Sequence, residues 1–332
     1  MEQAIVLILV AAFIFWLVWA PLKALYQRIF FKKLVTKHTG GLSPKAQSLS
    51  KAIIENDVAG FQQLADSASV NDIQDALRDT AEHQVNNNII ANYASDRPND
   101  PVAQLLHGHH LVNKAWASRG SGVADTVTKS GWSDFETCLG HAEEALNTSI
   151  AIDPKIPQAH ATLLTVQRGK GDMRKLHEVF ESARSRFPTS FPIHQQMLSA
   201  LPQRWSGNHG HTLEFARKNS GGDQTNRLQW LVAAAHLDTG IFEVEENASD
   251  YFKNKDIRRE VNEAFKKYLT IDSTDQDYLD GLHYFAATFF SMLDKKNAKK
   301  AFKKLNGHYS AKAWSNWPDP NELFVRAKLW AT

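Results

Sequence analysis

From Ala4 to Leu22 the chain carries no charged side chain and is filled with Ile, Leu, Val and Phe. A run of this length matches the hydrocarbon thickness that a single helix must cross. Its aliphatic and Phe residues, at about −0.3 to −0.6 kcal/mol each, favour insertion by a few kcal/mol in total. Trp16 and Trp19 lie near its C-terminal end, where indole rings suit the headgroup boundary. The span therefore reads as an anchor. Two other readings exist for such a stretch. A cleaved leader would want a basic start and small residues before the cut, whereas here Glu2 precedes the run and large residues end it. A buried soluble helix would usually show a polar face.

Beyond Pro21, the apolar residues Leu22, Leu25, Tyr26, Ile29 and Phe30 recur at helical spacing beside Lys23, Arg28, Lys32, Lys33 and Lys37. This pattern fits an amphipathic segment at the interface, its basic side chains towards lipid phosphates. All nearby cations follow the span, so the positive-inside rule places the C-terminal bulk in the cytoplasm. Three parts result: an anchor over residues 1–22, a basic juxtamembrane segment and linker over 23–43, and a helical domain over 44–332.

That domain should be all-α. Gly and Pro are sparse, and alternating apolar runs are few. Ser43-Pro44 and Asp100-Pro101 each set a capping side chain before a proline at the first helical position. Ser133 with Glu136, and Ser273 with Gln276, have capping-box spacing. Gly120 and Gly122 follow a helical stretch and permit the positive φ that ends one.

Pro154 and Pro188 lie 34 residues apart, the tetratricopeptide period. Leu163, Phe180 and Ala183 fall where that repeat places its apolar knobs, and Ala142 and Leu146 occupy equivalent places one unit earlier. His160 and His194 share the same 34-residue offset and read as one repeated packing position. The expected architecture is a tetratricopeptide-like α-solenoid behind a transmembrane helix.

Composition narrows the function. A formal net charge of only +2 argues against a dedicated nucleic-acid binder, which needs a strong basic excess. The single Cys138 leaves no intramolecular disulfide to form. With His141 one turn away it could suggest a nucleophile and base, but no orienting third group is evident. His107 and His110 share a helix face without further nominated metal ligands. Lys295, Lys296, Lys299, Lys300, Lys303 and Lys304 surround a stripe of Ala298, Ala301, Phe302 and Leu305, the pattern of a solvated helix face. No catalytic residue, metal site or cofactor is nominated.

The most informative stretch is RGSGVADTVTKSGW, Arg119 to Trp132. Gly120 and Gly122 bare their backbone N–H groups, while Arg119, Ser121, Asp125, Thr126 and Thr128 could form a polar recognition surface with Trp132. It lacks the phosphate-loop pattern. Its plainer reading is a structural corner whose hydroxyls satisfy helix ends. Together with AEEALNTSIAIDP, HQQMLSALPQRWSGNHGHTLEFAR and GHYSAKAW, this stretch resembles a bacterial family known as a domain of unknown function. The resemblance covers roughly residues 50–330 and implies a tetratricopeptide-like body without an activity. The family's second motif is nearer PKWGGS. Here Arg204 stands for its Lys and Ser206 for a Gly, beside Trp205.

These features imply a single-pass protein of the bacterial inner membrane, with periplasmic placement of the domain as the alternative. It should hold the bilayer through residues 4–22 and act as a scaffold for a protein or peptide partner. The alternative is a small-ligand binder or enzyme using the Arg119–Trp132 loop, with Trp205 and the Arg119 and Asp125 charges at its pocket. A basic surface for lipid or nucleic acid is a third possibility.

Overall fold

The computed structural model describes residues 42–81, 88–120, 122, 124–205, 207–222, 224–244 and 248–332. The anchor and most of the basic segment lie outside the described residues. Among the described residues every regular element is a helix, and no helix is long and apolar enough to cross a membrane.

The first four helices are α1 (Pro44–Ile54), α2 (Val58–Ala65), α3 (Val70–Ala81) and α4 (Ile89–Ser95). They enclose a core of Leu49, Ile53, Phe61, Ile73 and Tyr93. Next come α5 (Pro101–Arg119), α6 (Lys129–Ile152), α7 (Pro157–Lys170), α8 (Met173–Arg186), α9 (Phe191–Ala200) and α10 (His211–Gly221). The chain ends with α11 (Trp230–Phe242), α12 (Ala248–Lys253), α13 (Lys255–Tyr268), α14 (Gln276–Ser291), α15 (Lys295–Leu305) and α16 (Pro320–Ala331).

Neighbouring helices pair along the chain: α5 with α6, α7 with α8, and α14 with α15. Superimposed on this is a longer-range order. Helix α5 touches α7, α7 touches α9, α9 touches α11, and α11 touches α14. These five form one row, backed by α6, α8, α10, α13 and α15.

The local signals that start these helices are those of side-chain capping. Ser43 Oγ accepts from the Ala46 N–H at 3.0 Å, and an Asp100 carboxylate oxygen accepts from the Val102 N–H at 2.8 Å. Each satisfies a backbone donor that the first turn cannot. Two expected caps are displaced. Helix α6 begins at Lys129, and Thr128 rather than Ser133 caps it, its hydroxyl accepting from the Gly131 N–H at 3.0 Å. At α14 Asp275 accepts from the Tyr278 N–H at 2.9 Å, while Ser273 donates to that same Asp275 side chain. A carboxylate at the correct φ and ψ outcompetes a hydroxyl two residues earlier.

Packing between pairs uses the repeated apolar positions. Ala142, Leu146, Leu163, Phe180 and Ala183 are all buried. Full burial of a Leu or Phe is worth about 1.5–3 kcal/mol, and the alanines let partner helices approach. His160 and His194 are buried too, each bonded to a carbonyl at the head of its own hairpin: His160 Nε2 to Pro154 O and His194 Nδ1 to Ser190 O. Both rings also meet a phenylalanine: Phe187 lies 5.6 Å from His160 and Phe180 lies 5.4 Å from His194. In α15 the stripe Ala298, Ala301, Phe302 and Leu305 is buried, and the six lysines around it are exposed.

Candidate functional site

Two clefts open along the row of five helices. The first, of about 550 Å³, lies where α5, α6 and α7 meet. The second, of about 390 Å³, continues over α9, α11 and α14. Arg168, Arg204 and Trp205 line both clefts, so the two share one wall.

That wall is built by a turn crossing the row. Gln203–Trp205 forms a single 3-10 turn between α9 and α10. On one side Trp205 meets the ring of Trp116 edge-on at 5.5 Å. On the other, Arg204 donates to Asp238 of α11 at 3.1 Å and lies 4.3 Å above the Phe242 ring. Phe242 is 47 % exposed and presents its ring to the second cleft.

The first cleft is floored by aromatic rings. Trp116 stacks edge-on against Phe135 at 5.0 Å, and Trp132 against Phe135 at 5.6 Å. Gly169 in the last turn of α7 faces this floor. A Cβ there would lie 2.7 Å from Leu139 Cδ1 and 3.2 Å from Phe135 Cζ, so a larger residue would have to push those two side chains aside.

Four cations reach this cleft, and they differ in how they are neutralised. Lys170 is ion-paired with Glu143, which also accepts from Gln167 at 2.8 Å. Burial pushes the Glu143 carboxyl up, but those two bonds outweigh it and hold the group below its ordinary value. Arg204 is paired with Asp238. Arg119 donates to two carbonyls, Gly120 O at 3.3 Å and Gly122 O at 3.1 Å, and sits over the rings of Trp116 and Trp132. It has no carboxylate partner among the described residues.

Arg168 is the exception. Its guanidinium lies between two indoles, 5.5 Å from the Trp116 ring and 5.1 Å from that of Trp205. Its Nε is shielded from solvent without a hydrogen-bond partner among the described residues, and so is Trp116 Nε1. Burial, and then the neighbouring Arg204, pull the Arg168 guanidinium down to about 10, so it remains a cation at neutral pH. Each unmet buried donor costs on the order of 1–3 kcal/mol, and more when charged. Ring faces attract a cation but supply no counter-charge.

The loop residues nominated by sequence are thus divided. Arg119 and Trp132 line the first cleft together with Trp205 from 73 residues further on. Gly120 ends α5 with φ of 75°, a left-handed value favouring glycine. Gly122 lends only its carbonyl to Arg119, and Thr128 is the α6 cap. Asp125 and Thr126 sit exposed in a 3-10 turn, Ala124–Thr126, of which Ala124 lines the cleft and these two do not. Among the described residues no ion pair joins Arg119 and Asp125. Ser121 lies outside the described residues. Arg168 and Trp116 were not legible as site residues, since an Arg near a helix end reads as solvated surface. The one available signal was Gly169 beside Arg168, marking a close helix approach at a basic residue.

Elsewhere, burial pushes the Cys138 thiol up, the opposite of what a nucleophile needs. His107 and His110 are both pushed down by burial, and among the described residues no group of three His, Cys, Asp or Glu could hold a metal ion. No family model and no curated protein matches the chain.

Proposed function

We propose that this protein is a membrane-tethered, tetratricopeptide-like scaffold whose groove along α5, α7, α9, α11 and α14 takes an extended partner segment. The carrying observation is the continuity of the two clefts through Arg168, Arg204 and Trp205. Stacked helix pairs generate such grooves without chemistry. The second cleft adds recognition groups: Gln195 and Gln196 of α9, Tyr284 of α14 and the exposed ring of Phe242. Gln196 is held in place by Thr165, whose hydroxyl donates to its Oε1 at 2.9 Å. The tether is the apolar span at residues 4–22, which sets the domain beside the bilayer.

The reading is tested by a photo-crosslinking amino acid placed in the full-length chain in its own membrane. At Gln196 or Phe242, in the groove, it should yield a discrete heavier adduct. At Lys300, on the outer face of α15, it should yield none. Adducts only from Lys300, or none from either groove position, would overturn the groove as the binding surface.

A further inference from the structure

We propose that the outer face of α15, with Leu293 at its start, docks on an anionic bilayer surface. The inference rests on the tether in the reading above and adds where the domain meets the lipid.

Helix α15 carries Lys295, Lys296, Lys299, Lys300, Lys303 and Lys304 and no acidic side chain. Its apolar stripe is turned inward, and all six lysines are exposed. Cations on other helices pair within their own helix: Arg174 with Glu178, Arg259 with Asp256, and Arg326 with Glu322. Among the described residues none of the six lysines meets an Asp or Glu, and only Lys299 finds a polar partner, donating to Thr332 O at 3.3 Å. Like charges four residues apart destabilise a helix, and Lys295 and Lys296 sit at the end where the helix dipole is already positive. The spacing therefore works against the isolated helix. An anionic surface turns it into attraction.

The positive charge is also concentrated. Of the 38 Lys and Arg in the chain, six fall in α15 and five in residues 23–37, and the other 27 stand against 36 Asp and Glu. Apart from these two segments the chain is net acidic, so an anionic surface attracts them and repels the remainder. Residues 23–37 directly follow the apolar span, so one leaflet can serve both segments.

Leu293 decides between lipid and other polyanions. It joins α14 to α15 with φ of 54° and is 74 % exposed, the most exposed large apolar side chain among the described residues. Its N–H donates to Phe290 O at 3.0 Å and the Asp294 N–H to Phe289 O at 2.9 Å, the paired bonds that close a helix through a left-handed residue. Glycine is the ordinary residue there, because a Cβ strains the left-handed backbone. A leucine held in that conformation and left in water serves neither the turn nor the core. Beside the lysines it is placed to enter the boundary between headgroups and acyl chains. Nucleic acid offers phosphates to the lysines but no apolar phase to Leu293.

The test is amine-reactive footprinting, read by mass spectrometry, of the full-length chain in nanodiscs of phosphatidylcholine with and without phosphatidylserine. With phosphatidylserine, Lys295, Lys299 and Lys304 should label several-fold more slowly, and high salt should restore the rate. Lys155, in the turn between α6 and α7, should label alike in both. Combining Lys296→Gln, Lys300→Gln and Lys303→Gln should abolish the protection, since each lysine beside an anionic leaflet multiplies docking about fivefold, or ~1 kcal/mol. Leu293→Gly should melt at or above the wild-type temperature yet lose much of the protection. Equal labelling in the two kinds of nanodisc, or unchanged protection in the triple variant, overturns the proposal. Protection of the detergent-solubilised chain by duplex DNA, with none from phosphatidylserine, also overturns it and assigns the face to nucleic acid. Co-elution with the neutral nanodiscs reads the tether separately: a chain that fails to incorporate contradicts the tether, and one that incorporates without protection contradicts only the docking. Lipid adds no protein mass, so Lys300 keeps its place as the control in the crosslinking test of the groove.

Discussion

Trp314→Ala is expected to lower stability by about 3–5 kcal/mol, the range for truncating a fully buried tryptophan. Trp314 is wholly buried, in the last core of the chain among α14, α15 and α16. Phe324 meets its ring edge-on at 5.5 Å, and Phe302 stacks on it at 6.3 Å. The indole N–H donates to His283 Nδ1 at 3.1 Å, so truncation also strands a buried acceptor. Terminal units of stacked-helix proteins shield the core behind them, and loss of this one should expose α11 as well. Urea denaturation followed by circular dichroism reads the effect. A midpoint equal to wild type would show that the C-terminal helices do not support the rest.

The second large effect is a loss of stability in mild acid, and it comes from the same core. An indole can only donate, so His283 Nδ1 must accept and its Nε2 must carry the hydrogen. Nε2 then donates to His308 Nδ1 at 3.2 Å, and His308 Nε2 donates to Gln276 Oε1 at 3.1 Å. Gln276 in turn donates to Asp280 at 3.0 Å, and Lys312 donates to the other Asp280 oxygen at 3.0 Å. Both histidines are neutral in this chain, and a second proton on either would break a bond. Burial, and then His308, push His283 down to about 3, and burial pushes His308 down as well. The unfolded chain binds these protons near the ordinary histidine value of about 6.5. Stability is therefore complete above that value and falls as the pH drops towards the folded values. His283 alone should remove about 2 kcal/mol between pH 7.5 and pH 5, at about 1.4 kcal/mol per pH unit below 6.5. Burial lowers His110 in α5 to about 4, which acts in the same direction. Urea midpoints across this interval check the slope. A flat profile would contradict the neutral histidine chain.

Much of the helical layout was legible because its signals are local. Ser43 and Asp100 precede prolines, and a capping side chain with a proline at the first turn admits few other conformations. The knobs at Leu163, Phe180 and Ala183 were legible because a buried helix face repeats. The caps at Ser133 and Ser273 failed for the opposite reason. Their spacing also occurs inside helices, and Thr128 and Asp275 hold the backbone geometry that decides.

The site was only half legible. Arg119, Trp132 and Trp205 were nominated as a loop and a motif, yet what joins them is a contact between α5, α6, α7 and the turn after α9. Arg168 and Trp116 lie 52 residues apart on two helices, and nothing local distinguishes them from ordinary surface and core positions. The guanidinium meets the Trp116 ring, and both line the first cleft, only once α5 and α7 are packed together. Asp125 shows the converse: polar, prominent in the loop, and turned out to solvent.

The groove along α5, α7, α9, α11 and α14 is tested most directly by a photo-crosslinking residue at Phe242 of the full-length chain in its own membrane. A discrete heavier adduct from Phe242, absent when the crosslinker is moved to Lys300, is the expected result. Adducts from Lys300 with none from Phe242 would contradict the groove as the binding surface.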